Sequence, residues 1–497
     1  MNTPTHAGRP GAKGRTTRLP RAGAWLTLGL LAGGLGQANA QLHPPPAPLF
    51  PKSAPALVCP GMPQRLVIIA PAAYRPALRA FIAHKELLLP TEFQSLEELL
   101  QTQPGVDDPE KVKHFLYDEW HDHGLGFALL VGDVDVFPVR YMVLDRATAA
   151  AFDYAFYPSD LYYSDLAKAD GSFGDWNGRR DGFHAGYFGE VRGEKNKTDP
   201  INYDGVAYRP QIAVGRWPVS TPEAVRLLAA KTIAYEDQVL TNAPAAAAPR
   251  AAFIAVGGWV DSRPLQTRLA AQMQPGWQVE QRFYGAPTNS ATPPPDHTQV
   301  RDLFNHGLQL AIHAGHGSET SWDQCFSPAD VSRLTNSNGM PVVMSAGCST
   351  AHFAPLPPYE PYVDVQGVEH RGTDHGEVFT APPPPPAVYQ RGRYNPACLA
   401  EQILLRENAG AVAYIGCNTG SQPCGLTLLE GFVGSLANTK EPRLGDCWAT
   451  AIKFYYQHEH LATLQPTEDW YPPSIFFQGM KFMLFGDPSL RLPANRH

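Results

Sequence analysis

Two residues of this 497-residue chain have types and neighbours suited to acyl chemistry: His316, between Gly315 and Gly317, and Cys348, between Gly347 and Ser349. A thiolate attacks a carbonyl carbon, while an imidazole takes the thiol proton and returns it to the departing amine. Flanking glycines let a backbone come close to a substrate and leave N–H groups free to point at it. Taken alone, a cysteine is more often a small buried hydrophobe, and a histidine between glycines often does no more than satisfy a loop carbonyl. A metal centre is the rival chemistry, because His313, His316, Cys348 and His352 offer nitrogen and sulfur ligands. Residues three apart at the end of a strand need not converge as they would on a helix, which weighs against zinc.

The pair depends on the elements that carry it. Leu308–Ala314 and Pro341–Ser345 are short apolar runs of the kind that form buried parallel strands, and each ends in one of the two turns. In open α/β sheets, sites form where loops leave the carboxyl ends of strands. The 32-residue offset from His316 to Cys348 suits a strand–helix–strand unit of roughly 30 residues. Parallel neighbours would then bring imidazole and thiol to one edge of the sheet. Further strand candidates are 66–70, 127–131, 211–214, 252–256 and 411–415. Ser220-Thr221-Pro222-Glu223 combines a capping-box spacing with an early proline and predicts a helix to about Leu240.

Alternating strands and helices predict an α/β fold, a mostly parallel sheet flanked by helices, in two subdomains: an N-terminal one over 65–245 and a catalytic one over 246–497. Pro244, four alanines and Pro249 mark the linker between them. The aromatic, acidic stretch 153–209 reads as a long structured loop. The stretches 286–297 and 354–396, with Pro293–Pro295 and Pro382–Pro386, read as exposed loops.

Gly315-His316-Gly317-Ser318-Glu319-Thr320-Ser321-Trp322, followed by Ser345-Ala346-Gly347-Cys348-Ser349-Thr350-Ala351, resembles the catalytic region of the gingipain family of cysteine peptidases. Leu129–Asp133, Val214–Val219, Lys231–Glu236, Gly410–Gly416 and Leu484–Leu490 are similar to further landmarks of that family, in its order. The resemblance implies a caspase-like fold and a secreted endopeptidase working through an acyl-enzyme. It implies Cys348 as nucleophile, His316 as catalytic histidine, and an oxyanion hole from the N–H groups of Gly317 and Cys348. The family also places a carboxylate behind the histidine, and Asp261, just beyond the strand candidate 252–256, is the candidate here. A catalytically silent, peptidase-like surface or binding protein is the alternative. No cofactor is expected for catalysis.

Composition bounds the partners. Apolar residues make up 43% of the chain, enough for a large core, and 47 acids against 40 bases leave a net charge of −7. The first 40 residues read as a signal peptide: five bases without an acid, an apolar stretch from Ala22 to Gly36, then Ala38-Asn39-Ala40 as a small-x-small cleavage site. The apolar stretch falls short of the roughly 20 residues that span a bilayer. Removal leaves 47 acids against 35 bases, a net of −12 from about Gln41. Such a chain is a poor nucleic-acid binder, and the substrates expected are proteins or peptides. No other segment is apolar for long enough to cross a membrane, and the destination is periplasmic or extracellular. Residues 41–64 read as a Pro-rich leader.

Export permits disulfides. The seven cysteines are Cys59, Cys325, Cys348, Cys398, Cys417, Cys424 and Cys447, an odd number that leaves one thiol over if the rest pair; several buried, reduced thiols are the other reading. The segment 160–190 offers Asp160, Asp165, Asp170, Asp175, Asn177, Asp181 and Glu190. Calcium takes six to eight oxygens, and the resemblance also implies calcium binding, so Asp170, Asp175 and Asp181 are candidate ligands of a structural ion.

Overall fold

The computed structural model describes residues 64–145, 154–178, 180, 182–193, 198–241, 248–274, 276–285, 294–392, 398–467 and 471–495. The signal peptide, the leader up to residue 63, Cys59 and Asp181 lie outside the described residues. Among the described residues no helix is long and apolar enough to cross a membrane.

The strands, in chain order, are β1 (Arg65–Ala70), β2 (Thr91–Ser95), β3 (Leu125–Val131), β4 (Tyr141–Asp145), β5 (Tyr154–Pro158), β6 (Ala213–Trp217) and β7 (Arg250–Ala255). They continue with β8 (Gln278–Phe283), β9 (Leu310–Ala314), β10 (Val342–Ser345), β11 (Tyr362–Val363), β12 (Glu369–His370), β13 (Ala413–Cys417) and β14 (Phe482–Phe485). Ten of them form one sheet in the order β2-β1-β3-β6-β14-β13-β10-β9-β7-β8. Every pairing in that sheet is parallel except β13 with β14. The α/β expectation holds, and the sheet is two parallel five-stranded sets running in opposite directions. The C-terminal strand β14 joins the two.

The strand runs are apolar throughout because both faces of the sheet are covered. Along β9, Leu310, Ile312 and Ala314 belong to the core on one face and Ala311 to the core on the other. β10 alternates the same way, with Val342 and Met344 on one face and Val343 on the other. Helices form where local chemistry starts and stops them. Helix 108–123 begins at Asp107, whose carboxylate accepts the Glu110 N–H at 3.1 Å, and ends at Gly124 with φ +68°. The predicted helix after Thr221 runs from Pro222 to Thr241. Its Glu236 and Asp487, just past β14, both hold the fully buried ammonium of Lys85 at 2.8 Å.

Two segments differ from expectation. Within 153–209, β5 pairs with β4 as an antiparallel hairpin beside the main sheet, since Tyr154, Phe156 and Tyr157 have enough apolar surface to be buried there. The proline run 382–386 is only partly exposed. Pro383 and Pro386 are buried, the carbonyls of Pro383 and Pro384 accept the hydroxyls of Tyr187 and Tyr362, and Pro385 accepts the Val365 N–H at 3.0 Å. A proline lacks the N–H but keeps its carbonyl, so an extended proline segment can be bound along one side.

Candidate active site

β9 lies between β10 and β7, and β10 lies between β9 and β13, all parallel, with His313 opposite Ser345 in register. Their carboxyl ends therefore reach the same edge, and the loops leaving β7, β9, β10 and β13 wall a cleft. His316 and Cys348 both line it. The adjacency inferred from their spacing is thus produced by one strand pair.

The turn after β9 is held tightly. The His316 N–H donates to the Gly257 carbonyl at 2.7 Å, and the His316 carbonyl accepts from Asp323 N–H at 3.1 Å. Gly315 has φ +127°, and a Cβ there would sit 2.3 Å from the Val256 carbonyl oxygen. Only glycine fits that approach of two backbones. Trp322 closes the loop from behind: it is fully buried, stacks on the His313 ring at 4.5 Å and donates its indole N–H to the Tyr414 hydroxyl at 3.2 Å.

The turn after β10 is held by its neighbours as well. Ser349, directly after the cysteine, has φ +55°, and its N–H donates to Thr419 at 2.8 Å. The Cys348 sulfur accepts the Ser421 N–H at 3.3 Å and faces the Ser421 carbonyl at 3.7 Å. The N–H groups of Gly317 and Cys348 meet no acceptor among the described residues. The two backbones are close, since a Cβ on Gly317 would lie 3.1 Å from the Cys348 carbonyl oxygen. Unengaged N–H groups beside a nucleophile are what a developing oxyanion requires. No hydrogen bond joins the His316 ring to the Cys348 sulfur among the described residues; in unliganded enzymes such contacts often tighten only when substrate binds.

The remaining candidates are placed elsewhere. Asp261 follows the cleft-lining Val260, but both its carboxylate oxygens are held by the Arg263 guanidinium at 2.8 Å, which lowers its pKa. His313 is fully buried beneath the site, hydrogen-bonded through Nδ1 to Ser345 Oγ at 2.9 Å, and burial pushes its pKa down to about 3. His352 lies between Glu319 and Glu360, at 3.4 and 3.1 Å. Burial alone would lower its pKa, but the two carboxylates outweigh that and hold it at about 10. The four residues of the zinc alternative do not form one ligand cluster among the described residues, whereas Glu319, His352 and Glu360 have metal-ligand spacing.

The acidic loop is largely satisfied internally. Asp170 is exposed and accepts from the Ser172 N–H and hydroxyl, Asp175 pairs with Arg180 at 3.0 Å, and Asp160 grips the buried Arg216 at 2.7 and 2.8 Å. The six described cysteines are all free thiols, not disulfides; five are buried and Cys348 is half-buried.

Sequence reasoning missed the 418–426 segment, a loop that runs into the helix Gly425–Asn438 and supplies Ser421, Gln422, Pro423 and Leu426 to the cleft, and also missed Trp259. The available signal was the strand candidate 411–415, whose following turn Asn418-Thr419-Gly420-Ser421 is rich in loop-forming residues.

The profile of Peptidase family C25 matches residues 60–493. Gingipain R2 of Porphyromonas gingivalis (strain ATCC BAA-308 / W83) is 42% identical over 55 residues, which are 11% of this chain and 8% of that protein. Gingipain R1 of Porphyromonas gingivalis is 40% identical over 55 residues, 11% of this chain and 6% of that protein. These matches span less than a tenth of either curated relative. Among solved structures, the Arg-specific cysteine proteinase gingipain R aligns with a TM-score of 0.54 at 16% identity, over 86% of this chain and 78% of that one. The complex of Porphyromonas gingivalis RgpB pro- and mature domains aligns with a TM-score of 0.54 at 17% identity, over 86% and 79%. At such identity the structural likeness speaks for the fold.

Proposed function

The chain belongs to Peptidase family C25, and from that membership we propose that it is an exported cysteine endopeptidase whose nucleophile is Cys348. The observation that carries the reading is the shared cleft: Cys348 and His316 lie in the turns leaving adjacent parallel strands, and the N–H groups of Gly317 and Cys348 meet no acceptor among the described residues.

In the proposed reaction His316 removes the thiol proton as Cys348 sulfur bonds to the substrate carbonyl carbon. The oxygen takes up negative charge and is held by the N–H groups of Gly317 and Cys348; each such donor is typically worth about 3 kcal/mol in the transition state. Collapse breaks the C–N bond, and His316 passes its proton to the leaving nitrogen. Water, deprotonated by the same imidazole, then attacks the thioester, releasing the carboxylate and restoring the thiol. His316 is positioned through its backbone to Gly257, whereas Asp261 is engaged by Arg263 and supports the histidine only if that pair opens.

The test is hydrolysis of a diverse peptide library by the purified protein, by Cys348→Ala and by His316→Ala. Loss of hydrolysis in both variants, with unchanged thermal unfolding, supports the reading. Undiminished hydrolysis by Cys348→Ala refutes the nucleophile, and no hydrolysis by the native protein favours a silent, peptidase-like binding protein. Export is tested by fractionation and by a mature N-terminus near Gln41. A structural calcium at Asp170, Asp175 and Asp181 would have to compete with Arg180 for Asp175, and a calcium-dependent rise in Tm that Asp175→Asn abolishes would establish it.

A further inference from the structure

The cleft is polar only in neutral groups, and that bears on which peptide bond it takes. Among the described residues, none of the side chains lining it is an Asp, Glu, Lys or Arg. Trp259, Val260, Pro423 and Leu426 provide its apolar wall, and Trp259 stands at the rim with 64% of its surface exposed. Gln422 lines the same wall. Being uncharged, it cannot balance an ammonium or guanidinium. Asp261, the single acid of the segment between β7 and the following helix, is neutralised by two contacts to Arg263.

A Lys or Arg side chain drawn into this wall would lose its hydration without gaining a counter-charge, and an Asp or Glu would meet no cation. An apolar side chain loses nothing of that kind and gains buried area, including the face of the Trp259 ring. We propose that the cleft selects peptides with an uncharged, apolar residue, aromatic or leucine-like, immediately before the scissile bond, and that Trp259 is the specificity-determining side chain. This rests on the peptidase reading of the same cleft and names its substrate class.

The experiment separates the two. The purified protein is treated with chloromethyl ketones of one peptide backbone carrying Phe, Leu, Lys, Arg or Asp next to the ketone. Alkylation of Cys348 is followed by peptide mapping, and a peptide library is digested in parallel. The Phe and Leu reagents should react about tenfold or more faster than the charged ones, the discrimination expected of an apolar pocket. Trp259→Ala, with its thermal unfolding checked, should shrink that gap to less than about threefold. Faster reaction with Lys or Arg, equal rates for all five, or a Trp259→Ala protein with its full preference would overturn the inference. No alkylation of Cys348 by any reagent refutes it together with the peptidase reading. Apolar-selective alkylation without library cleavage would leave the pocket assignment standing and refute the peptidase reading alone.

Discussion

Replacing Gly315 by alanine should cost both stability and activity, for reasons that can be worked from the turn itself. At φ +127° an L-residue is strained, and the new Cβ would lie 2.3 Å from the Val256 carbonyl oxygen and 2.8 Å from that of Gly257. Both are backbone atoms at the end of β7, so no rotamer change relieves the clash. Strain of this kind costs about 1–3 kcal/mol, and overpacking adds about 1–3 kcal/mol, giving roughly 2–6 kcal/mol if the turn stays in place. At about 2 °C per kcal/mol for a chain of this size, Tm should fall by roughly 4–12 °C. If the turn moves away instead, it breaks the 2.7 Å hydrogen bond from His316 N–H to Gly257. A catalytic group displaced by about 1 Å loses on the order of a hundredfold in rate. Calorimetry and library hydrolysis read the two outcomes separately. Gly257→Ala is the control, because a Cβ there would meet nothing within 4 Å, and its effect should stay within about 0.5 kcal/mol. A Gly315→Ala protein matching that control in both Tm and rate would refute the claim that close backbone packing positions His316.

Brief iodoacetamide treatment of the native protein should label Cys348, because burial pushes the thiols of Cys325, Cys417, Cys424 and Cys447 up to about 12; label on Cys325 ahead of Cys348 would contradict this. Trp322→Ala removes a fully buried ring stacked on His313, and should cost about 3–5 kcal/mol, with hydrolysis falling alongside Tm; a change below about 1 kcal/mol in chemical denaturation would sink the idea that this ring braces the loop. The pKa of His352 is raised to about 10 from 6.5, so its contribution is fully present below pH 6.5 and is lost as pH rises through about 10. The Tm difference between the native protein and His352→Gln should therefore narrow between pH 7 and 10, and a constant gap over that range would show that the imidazole is not charged.

Some of this molecule was legible because it is written in local pattern. Buried parallel strands need uninterrupted apolar runs, so β9 and β10 could be read within two residues of their ends, and the turns bearing His316 and Cys348 followed. A proline and a capping threonine in the first turn marked helix 222–241 for equally local reasons. What the pattern does not contain is which distant strand lies beside which. β13 reaches β10 only through pairings across about 70 residues, and those pairings bring the 418–426 segment, with the Ser421 N–H on the Cys348 sulfur, to the cleft. The same holds for β14, the last strand in the chain, inserted between β6 and β13 at the middle of the sheet. Charge partners are also set by geometry. Asp261 follows a strand candidate in the sequence, but a guanidinium two residues away takes both its oxygens. Five cysteines that export would allow to pair are instead spread through the core as separate buried thiols. Composition and spacing reveal which chemical groups a chain owns and which element carries each one. Long-range packing decides which of those groups meet, because contact depends on loop closure and strand order that no local window of sequence encodes.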